Sequence, residues 1–452
     1  MNSSSLYLKT SPLKLFFTAA IPGAISMLAG SLYGLFDGIF IGRILGETAF
    51  AAINLAFPFV AINFSLADLI GVGSSVPISI YLGKKDSKEA NIYFTCACIM
   101  IVLTGILMGT FLYTAAPWLL GFMGAEGELE ALAIRYVRVY ALFSPVTTIV
   151  FAVDNFLRIC GKIKTSMMLN IVMSVVTVVL EFVFLSVLDM GIGGAALAAC
   201  SVMFAGALFA LYPFFRGKLQ LRFCRPKFSL KRIRQIISSG SPTFLSNMAG
   251  RIMAIVLNTI LLRMGGQDAV SVYGVLMYVA DVFQPILYGI CDSLQPAIGY
   301  NYGAGQFHRV KSIERCCLTA SGIVSVGAAL AMFLFPREIT TLFIKDGAEH
   351  FMLMSAQALQ IFCFTYVTRW FGFGIQSYLI ALDKPVPASL LSVSNAFVFP
   401  LVLIALLWPL GLNGIWLNFP VTSALVSLMA AMILLCIQKQ MFSGQDGPKG
   451  EA

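Results

Sequence analysis

Charge is scarce in this sequence. Asp, Glu, Lys and Arg make up 11% of the 452 residues, while 59% are hydrophobic; an ordinary soluble domain carries roughly 25% charged residues. So little charge cannot cover a water-facing surface, which excludes a soluble enzyme or binding domain. Histidine is nearly missing: His308 and His350 both fall in expected loops, so no histidine relay runs through a membrane. The ten cysteines contain no C-x-x-C pair, and neither a disulfide framework nor a zinc site is expected. The phosphate cradle G-x-x-x-x-G-K-[S/T] is lacking, which leaves direct ATP drive unsupported. An intramembrane enzyme would need H-E-x-x-H or a nucleophile beside a base, and neither is found. The formal charge of +9 would suggest nucleic acid only on a solvated basic domain. Without such a domain, no nucleic-acid partner and no cofactor beyond a coupling ion are expected.

Long apolar runs fill the space. A helix needs about 20 mostly apolar residues to cross a bilayer, and twelve such segments run from about 13–41 to about 413–437. Each should be helical, because hydrocarbon offers no partner to open backbone groups. The first run continues almost to Ile44 behind Lys9 and Lys14, too long for a signal peptide. Twelve spans put both ends on one side. That side carries 22 Lys and Arg, against six opposite: Arg43, Arg135, Arg138, Arg263, Arg337 and Lys345. The positive-inside rule therefore places both termini in the cytoplasm; Arg251 and Arg369 lie inside spans. The expected organisation is a lobe at 1–215, a basic linker at 216–235 that fixes topology and meets anionic head groups, a second lobe at 236–438 and a tail at 439–452.

An internal repeat supports this division. A shift of 220 residues superimposes Pro22 on Pro242, Ser26 on Ser246, Gly46 on Gly266, Gly83 on Gly303, Gly191 on Gly411 and several further pairs. The fold class is thus an all-α polytopic membrane protein, with twelve transmembrane helices in two six-helix bundles. Six spans per repeat make the halves parallel, related by a pseudo-twofold axis along the membrane normal. Substrates of such transporters bind between the halves.

Two strings stand in loops expected after the second span of each half: Gly71-Val-Gly-Ser-Ser-Val-Pro-Ile-Ser-Ile-Tyr-Leu-Gly-Lys-Lys-Asp86 and Leu294-Gln-Pro-Ala-Ile-Gly-Tyr-Asn-Tyr-Gly-Ala-Gly305. Their glycines read as tight turns with close backbone approach. Together with Phe156-Leu-Arg-Ile-Cys-Gly-Lys162 and Gly191-Ile-Gly-Gly-Ala-Ala-Leu197, these strings resemble the multidrug and toxic compound extrusion (MATE) family, in its bacterial multidrug-efflux branch.

Six acids fall within spans: Asp37, Asp68, Asp154, Glu181, Asp281 and Asp292. A charged carboxylate at mid-membrane costs about 2.5–3.5 kcal/mol unless paired, protonated or wetted. Asp37 precedes the external Arg43 by six residues and Glu181 precedes Asp189 by eight, so both sit roughly 9–12 Å below the outer helix ends at 1.5 Å per residue. Two carboxylates in one apolar pocket cannot both stay ionised cheaply; a proton or a small cation resolves them. The resemblance implies the same: an aspartate of the first span, fifteen residues after a proline that is here Pro22, and a fifth-span motif Asn-x-x-x-Asp on which Thr177 and Glu181 fall. Both of the latter depart from the motif. Pro22 removes a helical hydrogen bond and is either a hinge, as bending in the family would imply, or a static kink.

The remaining spans give further expectations. Arg251 and Asp281 share a depth and are expected to pair, as are Asp292 and Arg369 nearer the cytoplasm. Asp154 and Arg158 form an i,i+4 pair. Asp68 either faces the central cleft or hydrogen-bonds between helices. Tyr33, Phe36 and Phe40 share a face of the first span and either form a wall for flat organic cations through cation–π contact or simply pack, as aromatics on a transmembrane helix more often do.

The expected function is an antiporter that exports cationic or amphipathic drugs in exchange for H+ or Na+, acting as a monomer within the lipid bilayer. The alternative is a lipid-linked saccharide flippase of the same superfamily, which would need basic residues in the cleft for a diphosphate.

Overall fold

The computed structural model of the chain describes residues 3–343 and 349–443; Lys345 and tail residues 444–452 lie outside them. Among the described residues every regular element is helical. A short helix α1 (Ser3–Lys9) precedes α2 (Pro12–Ile44), α3 (Glu47–Gly83), α4 (Ser87–Phe122), α5 (Gly127–Ile159), α6 (Ile163–Phe182, prolonged by a π-turn at Val183–Val187) and α7 (Gly191–Phe215). In the second half α8 (Leu230–Asp292) is two spans joined end to end, broken where Gly266 takes φ 65°. Then come α9 (Gln295–Gly303), α10 (Phe307–Leu334), α11 (Pro336–Phe343), α12 (Glu349–Phe362), α13 (Phe364–Ala381), α14 (Pro385–Val393), α15 (Phe399–Leu407) and α16 (Leu412–Ser443). With α8 counted as two spans, α12 with α13 as one and α14 with α15 as one, twelve helical segments are long and apolar enough to cross a bilayer. Side chains initiate some of them: Asp86 accepts the Glu89 N–H at 3.1 Å at the start of α4, and Ser229 accepts that of Arg232 at 3.3 Å at the start of α8.

The two glycine-rich strings are not loops. The first stays helical to Gly83 and the second forms α9 as far as Gly303; the left-handed turns fall later, at Lys85 (φ 63°) and Gly305 (φ 70°). The other half of the expectation holds, because the glycines admit neighbouring backbone. A Cβ on Gly73 would lie 2.0 Å from the Ile236 carbonyl oxygen, on Gly240 1.9 Å from that of Leu69, and on Gly83 2.2 Å from that of Tyr300. A Cβ on Gly303 would lie 2.1 Å from the Ile80 carbonyl oxygen. The last two contacts are one contact made twice. Gly83 meets Tyr300 and Gly303 meets Ile80, and each residue's counterpart lies 220 positions away, as a pseudo-twofold axis between the lobes requires.

These approaches all join one lobe to the other, and all lie in the half of the molecule nearer the basic side. Farther along the spans these glycine contacts are not repeated: Gly30, Gly34, Gly250 and Gly274 have no neighbour within 4 Å of an added Cβ, and the lobes meet there through side chains such as Ser31, which donates to the Asp281 carbonyl at 2.6 Å. On the basic side the closure is reinforced by polar contacts. Arg232 of α8 donates from its Nη2 to both carboxylate oxygens of Glu89 of α4, at 3.0 and 3.1 Å. Helix α1 straps the lobes together: the fully buried Tyr7 donates its hydroxyl to the Arg158 carbonyl, while its own carbonyl accepts from Asn301 at 3.0 Å and Arg309 at 3.1 Å. The basic linker is also bound rather than free. Arg222 donates its N–H to Asn91 at 2.9 Å and Cys224 donates its N–H to Thr95 at 3.1 Å, both on α4.

Forcing a side chain into such a contact overpacks it, at a cost of about 1–3 kcal/mol. Gly83→Val and Gly303→Val should each lower thermal stability in detergent by about that amount, whereas Gly30→Ala, facing open space, should not. Unchanged unfolding midpoints for both valine variants would show that the lobes do not meet through these glycines.

Candidate functional site

Between the lobes lies a cleft of about 830 Å³. Helix α2 presents Gly30, Tyr33, Gly34, Asp37, Gly38 and Ile41 to it, a stripe at helical spacing whose glycines leave room beside the acid. Helix α6 presents Asn170, Ser174 and Thr177 in the same way, with Glu181 one turn further on. Glu181 is fully buried, and neither carboxyl oxygen has a donor among the described residues. It faces the carboxyl of Asp37 within hydrogen-bonding reach, and the Tyr33 hydroxyl also reaches Asp37. The two acids expected at matching depth are therefore adjacent. Facing carboxyls with no cationic partner repel if both are ionised; a shared proton or a small cation between them removes the repulsion. The Thr177 hydroxyl donates to the Met173 carbonyl at 2.7 Å, so its proton is used within its own helix.

Toward the basic side the cleft floor is a hydrogen-bonded network. Asp154 pairs with Arg158 at 2.6 Å and also accepts from Ser166 and, at 3.0 Å, from Asn170. Asn170 reaches on to Ser26 of α2 at 2.7 Å, tying α2, α5 and α6 together. Asp68 of α3 lines the cleft beside Asp292 of α8, one acid from each lobe. Asp292 accepts from Ser377 at 2.8 Å and Gln295 at 2.9 Å.

Several expected partners are not found together. Arg251 and Asp281 form no ion pair among the described residues: the Arg251 guanidinium lies over the Phe57 ring of the other lobe at 5.7 Å, and the Asp281 side chain is exposed. Equal depth does not set two side chains on facing sides of their helices. Asp292 and Arg369 are also unpaired. The hydroxyl and amide donors of Ser377 and Gln295 occupy Asp292, while Arg369 borders a small void with Tyr288 and Gln376. The aromatic wall differs as well. Phe36 is 48% exposed and Phe40 packs on Phe182 at 6.3 Å, and neither lines the cleft; the rings that line it with Tyr33 are Phe50, Phe57, Phe64, Tyr136, Tyr140, Phe151 and Tyr288. Pro22 is buried inside an unbroken α2. Asn170 was missed, although its spacing from Thr177 and Glu181 puts it on the same face of α6. Tyr136 and Tyr140 carried no signal, since aromatics at helical spacing usually only pack.

The charged lining is acidic. Among the described lining residues Arg158 is the one cation, and it is committed to Asp154, which leaves no free positive charge for the diphosphate of a saccharide carrier.

Comparison with known proteins agrees with this architecture. A multidrug export protein of Staphylococcus aureus (strain N315), MepA, is 24% identical over 440 residues, 96% of each chain. A multidrug resistance MATE family transporter of the MOP superfamily, solved in an outward-facing conformation, superimposes with a TM-score of 0.91 at 22% identity over 98% of both chains. A MATE structure in the straight conformation gives 0.90 at 23% identity, covering 97% of this chain and 99% of that one. These proteins are transporters, not enzymes. The MatE family model matches residues 22–183 and 242–406, one stretch in each six-helix half, and the chain belongs to the MatE family of multi-pass membrane transporters.

Proposed function

We propose that the chain is an antiporter, driven by H+ or Na+, that exports cationic or amphipathic drugs by alternating access, with both termini in the cytoplasm of a cell whose surface membrane it spans as a monomer. One observation carries the reading: the half-buried carboxyl of Asp37, on the wall of the cleft, faces the fully buried and donor-less carboxyl of Glu181, with no cationic side chain between them among the described residues. A site of this kind is stable only when neutralised. Loading it with a proton or Na+ from the outer face removes the repulsion between α2 and α6; losing that ion inward restores it. Either change acts on helices that form the cleft wall, so ion occupancy and cleft shape are linked. Pro22 is where α2 would bend.

The energetics suffice. One cation moving inward gains about 2.3 kcal/mol per 100 mV, enough for several-tens-fold accumulation of a neutral solute. The lining suits the cargo. Asp68, Asp292 and the tyrosine and phenylalanine rings offer negative charge and π-faces to an organic cation, and Met27, Met173 and Met203 give a surface that repacks around differing shapes. The name of the staphylococcal relative points the same way.

In vesicles with imposed pH or Na+ gradients, gradient-driven dye efflux should fall at least tenfold in Asp37→Asn and in Glu181→Gln. Efflux that needs neither gradient in the wild type would overturn the antiport reading. Removing one of two repelling acids should also leave thermal stability at neutral pH unchanged or raised, since the amide oxygen of Asp37→Asn still accepts from Tyr33 and Glu181 has no donor to lose. A loss of several kcal/mol in both variants would instead reveal a buried, mutually stabilising pair.

A further inference from the structure

A second site lies on the outer surface of the first lobe, away from the cleft. Helices α2 and α6 flank a lateral groove of about 640 Å³ at the basic end. Its α2 wall is an apolar stripe four residues apart, Leu13, Phe17 and Ile21, exposed by 59%, 54% and 47%. At its mouth stand two lysines, Lys14 from one helix and Lys164 from the other. Both are exposed, and neither ammonium group forms an ion pair among the described residues. No acid lines the groove.

We propose that this groove binds an anionic phospholipid, the two ammonium groups holding its phosphate and the Leu13, Phe17 and Ile21 stripe holding an acyl chain. Charge and polarity together select the occupant. Cations at head-group level above a furrow that runs along the span match a molecule with a negative head and an apolar tail, and basic pockets between transmembrane helices on the cytoplasmic side are suited to such lipids. A soluble anion would gain nothing from the stripe, and a zwitterionic lipid would bring its own positive charge toward the lysines. An acyl chain seated there would touch Pro22, which forms part of the groove, and would lie between the two helices that carry Asp37 and Glu181. The assignment concerns lipid binding alone and does not depend on the antiport reading.

Native mass spectrometry of the full-length protein in detergent tests it, with phosphatidylglycerol, phosphatidylcholine of identical chains, and inorganic phosphate titrated separately. The wild type should retain phosphatidylglycerol in clear preference to phosphatidylcholine and should not retain phosphate. A membrane-surface lysine contributes roughly fivefold in affinity, so Lys14→Gln with Lys164→Gln should lower phosphatidylglycerol retention by about tenfold or more. The pair Lys88→Gln with Lys231→Gln, equal in charge loss and also near the basic side, should leave it unchanged. Equal retention of the two lipids, an equal loss in both double variants, or retention of phosphate in place of lipid would each overturn the assignment. Surface Lys→Gln changes leave the fold intact, and an unchanged unfolding midpoint verifies this for both pairs.

Discussion

Two facing carboxyls with no donor between them set the terms for the first lobe. In water such a pair would be separated and solvated. Here Glu181 is sealed within protein and Asp37 is held against it by the packing of α2 on α6, so the charge must be cancelled by something taken from outside. A structural ion pair would cancel it permanently, as Arg158 does for Asp154. No cation-bearing side chain pairs with Asp37 or Glu181 among the described residues, and the proposed coupling role requires that opening, because only a neutralising ion that comes and goes would distinguish a coupling site from a stabilising one. The neighbouring tyrosines, Tyr33, Tyr136 and Tyr140, are neutral donors or acceptors; they shape the pocket without fixing its charge.

The glycine contacts determine what such a change can move. Helices that meet through carbonyl oxygens at Gly73, Gly83, Gly240 and Gly303 approach as closely as backbones allow, with little side-chain bulk between them. A contact of this kind is either made or broken; it does not stretch, because the lost dispersion falls off steeply with separation. The basic half therefore behaves as one seam, reinforced by the Tyr7 strap and the Glu89–Arg232 pair, while in the opposite half the described residues of the two lobes meet through side chains, Arg251 over Phe57 and Ser31 on the Asp281 carbonyl, rather than through glycines. Rocking one lobe on the other would exchange these conditions, and the polar strap, unlike the glycine seam, can be released one hydrogen bond at a time.

Much of the molecule was legible in the sequence because the bilayer simplifies the code. Hydrophobic length alone gives the spans, the constant offset of 220 gives the symmetry, and counting residues inward from charged helix ends gives the depth at which Asp37 and Glu181 meet. What failed were inferences about azimuth. Arg251 and Asp281 agree in depth yet point to different neighbours, and Phe36 shares the first span with Tyr33 yet turns away from the cleft. In helices that are apolar all round, no polar face marks the interior, so rotation about the helix axis leaves no trace in composition. The glycine strings failed differently: Gly is read as a turn residue, but in a tightly packed bundle it serves equally as the flat spot on which another helix rests.

The same offset shows that the facing acids are confined to one lobe. Position 257 is the counterpart of Asp37 and position 401 that of Glu181, and both are leucines. Leu257 is 3% exposed, and it and Leu401 belong to the apolar core of the second lobe. The two halves thus share backbone architecture, including left-handed glycines at Gly46 and Gly266 and at Gly191 and Gly411, but one has carboxyls where the other has hydrocarbon. A lobe filled with leucine at that depth has one preferred packing regardless of the ion supply. In the proposed antiport, a lobe with facing acids would have two, loaded and empty, with relative stabilities that follow the concentration of the ion. An asymmetric pair of this sort would let a gradient act on one half while the other serves as the frame against which it moves.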